Sequence, residues 1–476
     1  MILNIKYSLN QTIPVPHWGI GDRMGVVLKS FSRKLCVISL LAVAACEAPY
    51  IDGAAPQPGN QKSQNPVSGS PPPAAPNYKG AADIKEPTGV VSMRQALASA
   101  LLKNPELETF SWKIRAAEAR RIQAGRIPNP EIEATVAEVG GSDERKGFDS
   151  AEITFALKQE IELGSKRTNR ISVAKIEGDI ARWEYQRKRL DVLLKTTKAF
   201  IEVMAVKRRL SLSERKLELT KQVREVVAKR VKAGVVAALD ETKARVSVST
   251  AEIELDRIRS EFDASKKHLA STWGSTVPIF SDVKGNFENV SSIAPIEKIK
   301  ERISINPDLK QQATEVDLRR SIIRLEKSES IPDITLSMGV KRLREVNDNT
   351  FLFGVSVPVP VFGLNPGAVE EAERNLEQSK VERQATNLRV RTSLNESYPV
   401  MASAYRQIVA LKNDVLPAAQ LAFDATQRGY REGNVGFLDV LYAQRTLFEV
   451  QAQYIDTLEA FHKSKADVER LLGGSE

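Results

Sequence analysis

The sequence is poor in the residues that most often hold metal ions or form disulfides. It has two cysteines, three histidines and six scattered methionines among its 476 residues. No cysteine or histidine spacing typical of a zinc site occurs, and no Met-x-Met pair offers soft ligands. Cys36 lies in a segment that we expect to be removed, which leaves no partner for a disulfide. We predict no metal site in the chain itself and no bound cofactor.

Motifs of the common enzyme classes are also missing. The sequence has no nucleophile elbow, P-loop or dinucleotide-binding fingerprint. His17 precedes the expected mature chain. His268 and His462 are predicted on charged helix faces, where a histidine is more often a surface residue than a ligand. The sequence therefore predicts a protein that is not an enzyme.

Long apolar runs and blocks of one charge are absent as well. No stretch reaches the roughly 18 apolar residues that a membrane-spanning helix needs. The net charge is +9, but lysine and arginine alternate with glutamate and aspartate along the chain. Because this alternation is typical of solvated helix faces, we expect no nucleic-acid partner.

Residues 1–45 have the layout of a secretory signal peptide. Basic residues precede an apolar run at 35–45, which is too short to span a bilayer. Met24 is an alternative start to Met1, because residues 1–23 make the basic region unusually long. The run ends in Leu-Ala-Val-Ala-Ala-Cys46, which resembles a bacterial lipobox, and we predict that Cys46 is acylated. An ordinary signal followed by a chance cysteine is the alternative.

Residues 46–90 are predicted to form a lipid-anchored flexible linker. The segment is rich in proline, glycine, alanine, serine and asparagine, and it cannot bury enough apolar area to fold by itself. The residue after Cys46 is Glu47 and not aspartate, so the usual signal for inner-membrane retention is missing. We expect a tether between lipid and the body of the protein.

The rest of the chain is an internal duplication. The segment Ala-Gly-Val-Val-Ala-Ala-Leu-Asp240 returns as Glu-Gly-Asn-Val-Gly-Phe-Leu-Asp439, 199 residues later. Asn104-Pro-Glu-Leu returns as Asn306-Pro-Asp-Leu, at an offset of 202 residues. Separated matches at nearly one spacing indicate two copies of one unit. We assign the first repeat to residues 91–280, a linker to 281–294 and the second repeat to 295–476.

Each repeat contains two segments in which apolar and polar residues alternate. The apolar positions begin at Ile132 and Ile153 in the first repeat, and at Ile334 and Phe351 in the second. Each segment has about the 9 to 11 residues that a tilted transmembrane strand needs. One apolar and one polar face suit a wall between lipid and water, whereas a soluble hairpin would need a core that the polar flanking helices do not offer. Four strands cannot close a barrel, so several copies must pool their strands.

The polar faces of these strands carry acidic residues. Glu131, Glu133 and Glu152 fall on the polar side and would line the lumen of such a barrel. Repetition by symmetry would turn them into carboxylate rings, which favour cations. The alternative is that they only make the lumen polar, as in any water-filled barrel.

Long helices make up the remainder of each repeat. Residues 93–124 are predicted as one helix, and 165–231, with no proline and one glycine, give roughly 100 Å of helix. The return arm 239–273 repeats apolar residues at alternating steps of three and four, as in a coiled coil. In the second repeat, 366–430 is expected to be helical with a kink at Pro399.

A glycine interrupts the helical pattern between the two arms of each repeat. Gly234 and Gly433 sit where a helix must end, because glycine adopts a left-handed backbone at little cost. Asp240 and Asp439 then lie in the first turn of a new helix, where the helix dipole stabilises a carboxylate. The pattern predicts the tip of a long helical hairpin in each repeat.

The order of short helix, strand pair and long coiled-coil pair, twice over residues 90–473, resembles the TolC-type outer-membrane factor family. Gln-Glu-Ile-Glu-Leu-Gly-Ser-Lys-Arg167 and Gly-Val-Ser-Val-Pro-Val-Pro-Val-Phe362 are similar to strand-to-helix turns of its heavy-metal efflux branch, the CzcC/CusC-like proteins. Tyr430-Arg-Glu-Gly, followed by Leu438-Asp-Val-Leu, resembles the family's second periplasmic tip.

The resemblance implies a mainly helical fold with transmembrane β-strands. It implies a homotrimer whose twelve-stranded barrel lies in outer-membrane lipid and continues as a twelve-helix periplasmic tunnel. It also implies two protein partners, a periplasmic adaptor (membrane fusion) protein that grips the tips and an inner-membrane pump of the RND type. The residues expected to dock the adaptor are Gly234, Val235, Leu239, Gly433, Asn434, Val435 and Leu438.

The resemblance further implies a constricted entrance at the tips, to which we assign Asp240, Asp439 and Tyr442. Asp439 matches a position that can contribute an aspartate there. Tyr442 stands where the best-studied branch has a second aspartate, and Val435 stands where it has an arginine that ties to the partner of Asp240. Two readings stay open, in which the aspartates line the entrance or only start their helices.

The function implied by the resemblance is that of an exit duct in a tripartite efflux system, with metal cations as the expected substrate. Drug efflux and type I protein secretion are alternative uses of such a duct. A lipid-anchored coiled-coil scaffold that transports nothing is a further alternative, but it has no use for the alternating strand pairs. The expected location is the outer membrane, with a helical extension into the periplasm.

Overall fold

The computed structural model describes residues 86–142, 146–363 and 365–474. The predicted signal peptide 1–45, the acylation site Cys46 and most of the linker 46–90 lie outside the described residues. In the first repeat the elements are strand β1 (Gly89–Ser92), helix α1 (Met93–Lys103), helix α2 (Pro105–Ala124), strand β2 (Glu131–Ala137), strand β3 (Glu152–Ile161), helix α3 (Lys166–Lys232), helix α4 (Ala238–Ser271) and strand β4 (Phe280–Lys284).

The second repeat follows the same order after a short connection. Its elements are helix α5 (Ile296–Arg302), a 3-10 turn (Ile303–Ile305), helix α6 (Pro307–Glu329), strand β5 (Ile334–Leu343), strand β6 (Asp348–Ser356), helix α7 (Pro366–Ala410), a π-helical turn (Leu411–Val415), helix α8 (Leu416–Glu432) and helix α9 (Phe437–Leu471).

The prediction of one helix over residues 93–124 is wrong at Asn104. The chain leaves the helix there, with ψ at 119°, because a residue before proline disfavours the helical conformation. Pro105 then opens α2, where its missing N–H needs no partner. The Asn104 side chain accepts hydrogen bonds from the N–H groups of Glu106 and Leu107, at 2.9 and 3.2 Å, and so caps the new helix.

Pro399, where we predicted a kink, lies inside an uninterrupted helix. Helix α7 continues through Pro399 to Ala410. The irregular stretch comes later, in the π-helical turn Leu411–Val415, directly before α8 and its Pro417. Because the helical conformation runs on from the π turn into α8, the missing N–H of Pro417 removes a donor into the preceding turn, and the hydrogen-bond pattern is wider there.

The four alternating segments form one antiparallel sheet in the order β2-β3-β5-β6. The register places apolar residues opposite each other across all four strands, as in the row Ala134, Phe155, Val340 and Phe351. The predicted strands are confirmed, although β2 has only seven residues. Strands β2 and β6 form the two edges of the sheet.

A second, two-stranded parallel sheet joins the beginning of the first repeat to its end. Strand β1 pairs with β4, and Val91 lies opposite Val283, both fully buried. Trp273 and Phe280 pack beside them with their ring centroids 5.9 Å apart. Residues 89–90 and 281–284, which we predicted as linker, therefore belong to this sheet.

The helices pack side by side in the same order as the strands. Helix α3 contacts α2 and α4 on one side, and α6 and α9 on the other. Helix α7 then packs against α6 and α9, and α8 packs against α9. The first edge of this layer consists of β2, α2 and α4, and the second edge consists of β6, α7 and α8. No helix of the described ranges is long and apolar enough to cross a membrane.

Candidate functional site: strand wall and hairpin tips

The four-stranded sheet has one apolar and one polar face, and no layer of the described chain covers the apolar face. Large apolar side chains on that face are exposed in every strand: Ile132 and Val136, Phe155 and Leu157, Leu336, Met338 and Val340, Phe351, Phe353 and Val355. A water-soluble sheet would bury such a face on a core. The geometry instead suits a wall that separates an apolar medium from water.

The polar face carries the three glutamates that we expected in a lumen, and two of them form ion pairs with lysines. Glu133 forms an ion pair with Lys158 of the neighbouring strand at 2.8 Å. Glu152 is paired with Lys341 of β5. Glu131 lies opposite Lys158 in the strand register. These lysines offset much of the negative charge that Glu133 and Glu152 bring to the polar face. The place of the three glutamates in a lumen stays a prediction.

A buried ion pair fastens the start of the longest helix to the other repeat. Lys166, the first residue of α3, is almost fully buried, and its ammonium group lies 2.7 Å from the carboxylate of Asp333. The other oxygen of Asp333 accepts the N–H of Leu163 at 2.8 Å. The turn between strand and helix is therefore held by a carboxylate of the second repeat, with Glu329 as a further neighbour of Lys166.

The first hairpin tip turns at Gly234, which has φ at +68°. Its N–H donates to the carbonyl oxygen of Val231, and the N–H of Val235 donates to that of Arg230 at 3.0 Å. The side chains of Val235 and Leu239 are exposed beyond the turn. Two residues predicted for docking thus project an apolar surface from the end of the hairpin.

The second tip has the same turn at Gly433, with φ at +86°. The N–H of Asn434 donates to the carbonyl oxygen of Gly429 at 2.9 Å. Val435 packs over Gly429, since a β-carbon there would lie only 2.6 Å from its Cγ2. Leu438 is exposed, as the docking prediction requires.

The three residues assigned to an entrance constriction have different surroundings. Asp439 accepts a hydrogen bond from the N–H of Gly436 at 3.1 Å, so its carboxylate caps the start of α9. Asp240 lies 3.7 Å from the ammonium group of Lys243, one turn along its helix. Tyr442 is exposed. Asp439 therefore stabilises the start of α9, and its position at a constricted entrance stays a prediction.

Sequence reasoning missed Arg230, which joins the two tips. Its guanidinium group donates to the carbonyl oxygen of Tyr430 and lies 4.5 Å from the centre of the Tyr430 ring. Burial raises the pKa of the Tyr430 phenol, Arg230 acts in the opposite direction, and Asp240 adds to the rise. No local pattern distinguishes Arg230 from the other basic residues at the end of α3, because its partner is 200 residues away.

The histidines are the remaining candidates for metal binding. Within the described part of the chain no group of three or more His, Cys, Asp or Glu residues could hold a metal ion. His268 is exposed on α4, as predicted. The prediction is wrong for His462, which is half-buried, packs on Phe287 and Phe461, and lies 2.8 Å from the carbonyl oxygen of Phe287. The connection between the repeats covers this face of the helix. The spacing of residues along the helix cannot predict that contact.

Comparison with known proteins supports the family resemblance that the sequence indicated. The outer membrane efflux protein family matches residues 96–275 and 299–474. The cobalt-zinc-cadmium resistance protein CzcC of Cupriavidus metallidurans is 29% identical over 82% of this chain and 91% of its own length. The nickel-cobalt-cadmium resistance protein NccC of Alcaligenes xylosoxydans xylosoxydans is 23% identical over 67% and 70%. The pyoverdine export outer membrane protein OpmQ of Pseudomonas aeruginosa is 21% identical over 81% and 86%.

Among solved structures, the chain is similar to CusC, a transmembrane channel, with a TM-score of 0.71 and 18% identity. The match covers 88% of this chain and 99% of that one. It confirms the predicted fold class, in which long helical hairpins are joined to a few strands. The double match over both repeats confirms the resemblance drawn from the sequence: the chain belongs to the outer membrane efflux protein family.

Proposed function

We propose that the protein is the outer-membrane exit duct of a tripartite efflux system. The observation that carries this proposal is the four-stranded sheet with an exposed apolar face and two unpaired edges, joined directly to long helical hairpins. An open sheet edge is not tolerated within lipid, because its N–H and C=O groups have no water to bond. Such a sheet becomes a membrane wall only when other copies close it.

The partner that closes the sheet is a further copy of this chain. Three copies would give twelve strands, within the range of known outer-membrane barrels, with β6 of one copy beside β2 of the next. The helical layer has the same need, because its outermost helices expose apolar residues at seven-residue spacing. These residues are Val246 and Ile253 on α4, and Val381 and Leu388 on α7. We therefore expect a homotrimer in which α4 of one copy packs beside α7 and α8 of the next.

A periplasmic adaptor protein is the expected partner of the tips, and an RND-type pump is expected beyond it. The apolar side chains of Val235, Leu239 and Leu438 project from the ends of both hairpins, where no other part of the described chain covers them. The two glycine turns fix the direction of these side chains. A partner helix with a complementary apolar surface would bury them on docking.

The substrate is proposed to be metal cations, which pass through the duct as cargo. Support comes from the resistance proteins CzcC and NccC, which are similar over most of the chain. The pyoverdine export protein OpmQ is similar as well, so export of a larger organic molecule is the second candidate. The paired glutamates of the polar strand face agree with a passive conduit better than with a selective cation filter.

One experiment separates these possibilities. The gene is expressed with its own adaptor and pump in a strain that lacks outer-membrane efflux factors, and growth is measured on cobalt, zinc and cadmium salts and on a panel of drugs. We expect resistance to the metals alone.

The purified protein should run as a trimer in native mass spectrometry and conduct ions in planar bilayers. A monomer without conductance would contradict the duct itself, whereas drug resistance alone would contradict only the substrate.

The anchor and the location are tested at Cys46. We propose that the mature chain begins at an acylated Cys46 on the outer membrane and reaches into the periplasm through its helices. A fatty-acid probe should label the wild type and leave Cys46→Ser unlabelled. The variant should still form trimers in the membrane, because a barrel buries far more apolar area than two acyl chains do. Equal labelling of both proteins would exclude a lipid on this residue.

A further inference from the structure

The segment that follows the last strand exposes an apolar row that the sheet does not explain. Val357, Val359 and Val361 come after the end of β6 at Ser356 and before α7. Val359 is 80% exposed and Val361 is 68% exposed. Phe362 is 99% exposed, the highest value among the large apolar residues of the described chain.

This row continues the outward face of β6. In the strand, Phe351, Phe353 and Val355 are the exposed residues of the apolar face. The alternation of two places Val357 and Val359 on the same side, although the hydrogen-bonded ladder has ended, and the chain turns at Pro360 before Val361. The apolar face is therefore longer than the sheet.

The length of the row favours lipid as its covering. From Phe351 to Val355 the row rises only about 13 Å at about 3.3 Å per residue. A strand tilted by about 40° reduces this to roughly 10 Å along the membrane normal, well short of the roughly 25 Å apolar band of outer-membrane barrels. Extension to Val359 gives about 26 Å along the chain and, at the same tilt, roughly 20 Å along the normal, before the hydrogen bond between Val361 and Val359 turns the chain.

The backbone of the segment suits lipid better than another strand. Pro358 and Pro360 have no N–H, so they cannot donate to a neighbouring ladder. The N–H of Val361 is already bonded to the carbonyl oxygen of Val359 at 2.9 Å. Because these three positions need no hydrogen-bond acceptor from outside, the segment offers fewer donors to a neighbouring ladder than a regular strand would.

We propose that residues 357–362 form a lipid-contacting collar at the periplasmic boundary of the membrane, a role that rests on the duct function proposed above. Val357 and Val359 lie at the edge of the acyl chains of the inner leaflet, where the backbone groups of the segment can still reach water. Val361 and Phe362 lie at the level of the headgroups, where outer-membrane barrels place their apolar and aromatic girdles. The partner of this surface is phospholipid and not a second copy of the chain.

Spin labelling tests the collar, because no cysteine occurs in the described chain and the two in the sequence are Cys36 and Cys46. A nitroxide is attached to Val359→Cys and Val361→Cys in trimers reconstituted into phosphatidylcholine vesicles. Val355→Cys serves as the reference on the apolar face, and Leu352→Cys on the opposite face. The wild type, treated in the same way, gives the background. Accessibility to oxygen, which concentrates in lipid, is compared with accessibility to a water-soluble nickel chelate.

We expect Val359→Cys to match Val355→Cys, with an oxygen-to-nickel ratio several-fold above that of Leu352→Cys, and Val361→Cys to fall between them. Immobile labels at 359 and 361 that neither reagent reaches would show that a second copy covers the segment and would overturn the collar. A preference for nickel at both sites would place it in water, with the same consequence. If the label at 355 also lacks the lipid signature, the membrane wall itself fails, which separates the two proposals.

Discussion

Asn306 caps helix α6 with its side-chain oxygen and donates its side-chain amide to the carbonyl oxygen of Leu471, at 2.9 Å. The side chain is fully buried. Asn104 repeats the arrangement in the first half of the chain, where its amide donates to the carbonyl oxygen of Thr272 at 2.7 Å. Each Asn-Pro motif therefore joins the start of one helix to the end of the return arm in its own repeat.

Replacing Asn306 by aspartate separates the two contacts. Asn306→Asp keeps the oxygen that caps α6 but places a carboxylate against the carbonyl oxygen of Leu471. We expect a loss in stability larger than the cost of an unsatisfied neutral polar group, about 1–3 kcal/mol, because the buried carboxylate is charged. Asn104→Asp is the matched variant, and because Asn104 is less buried it should cost less. Thermal unfolding followed by circular dichroism measures both, and an equal loss would show that burial does not set the cost.

Arg230 offers a test of the contact between the two hairpins. Arg230→Ala removes the donor to Tyr430 and the cation from the face of its ring, an interaction worth about 0.5–2 kcal/mol. We expect faster hydrogen exchange in residues 423–437 with little change near the strands. Lys229→Ala, which removes a neighbouring exposed charge, should leave exchange in that segment unaltered. The same exchange rates in both variants would mean that the apolar contact of Tyr430 with Phe437 holds the tips without Arg230.

The two faces of the sheet predict opposite tolerance to charge. Phe155→Arg places a guanidinium group on the apolar face and should cost roughly 2–4 kcal/mol near the bilayer midplane. Thr154→Arg, one residue earlier on the polar face, should leave the amount of folded trimer in the membrane close to wild type. Heat-resistant trimers on a gel measure both effects. Similar losses from the two variants would show that the faces do not separate lipid from water.

The sequence predicted the features that depend on neighbouring residues. It did not predict the features that depend on distant partners. Alternation of two located the four strands, and the glycine turns located both tips, because these signals lie within a few residues of each other. The break at Asn104 was missed because the helical pattern continues on both sides of it. Arg230 and His462 could not be found, since Tyr430 and Phe287 reach them only after folding.

His462 predicts a component of stability that depends on pH. Burial lowers the pKa of His462 below its ordinary value, the bond to Phe287 acts in the opposite direction, and Lys465 lowers it further. Between the lowered value and about 6.5 the unfolded chain binds the proton more readily, so stability is lost as the pH falls through this window.

Thermal midpoints between about pH 7.5 and 5 should therefore fall less steeply for His462→Gln than for the wild type. A wild-type slope in His462→Gln would assign the pH dependence to other groups.

Asp439 presents the choice between an entrance residue and a helix cap. Its carboxylate accepts the N–H of Gly436, so Asp439→Asn keeps an acceptor there and removes only the charge, with a cost of about 0.3–1 kcal/mol from the helix dipole. In a trimer, three such carboxylates around an axis would attract multivalent cations. We expect Asp439→Asn to weaken the block of single-trimer conductance by such cations at nearly unchanged thermal stability. Asp424→Asn, which removes a half-buried charge further from the tip, should not affect the block. A wild-type block in Asp439→Asn would limit Asp439 to starting its helix.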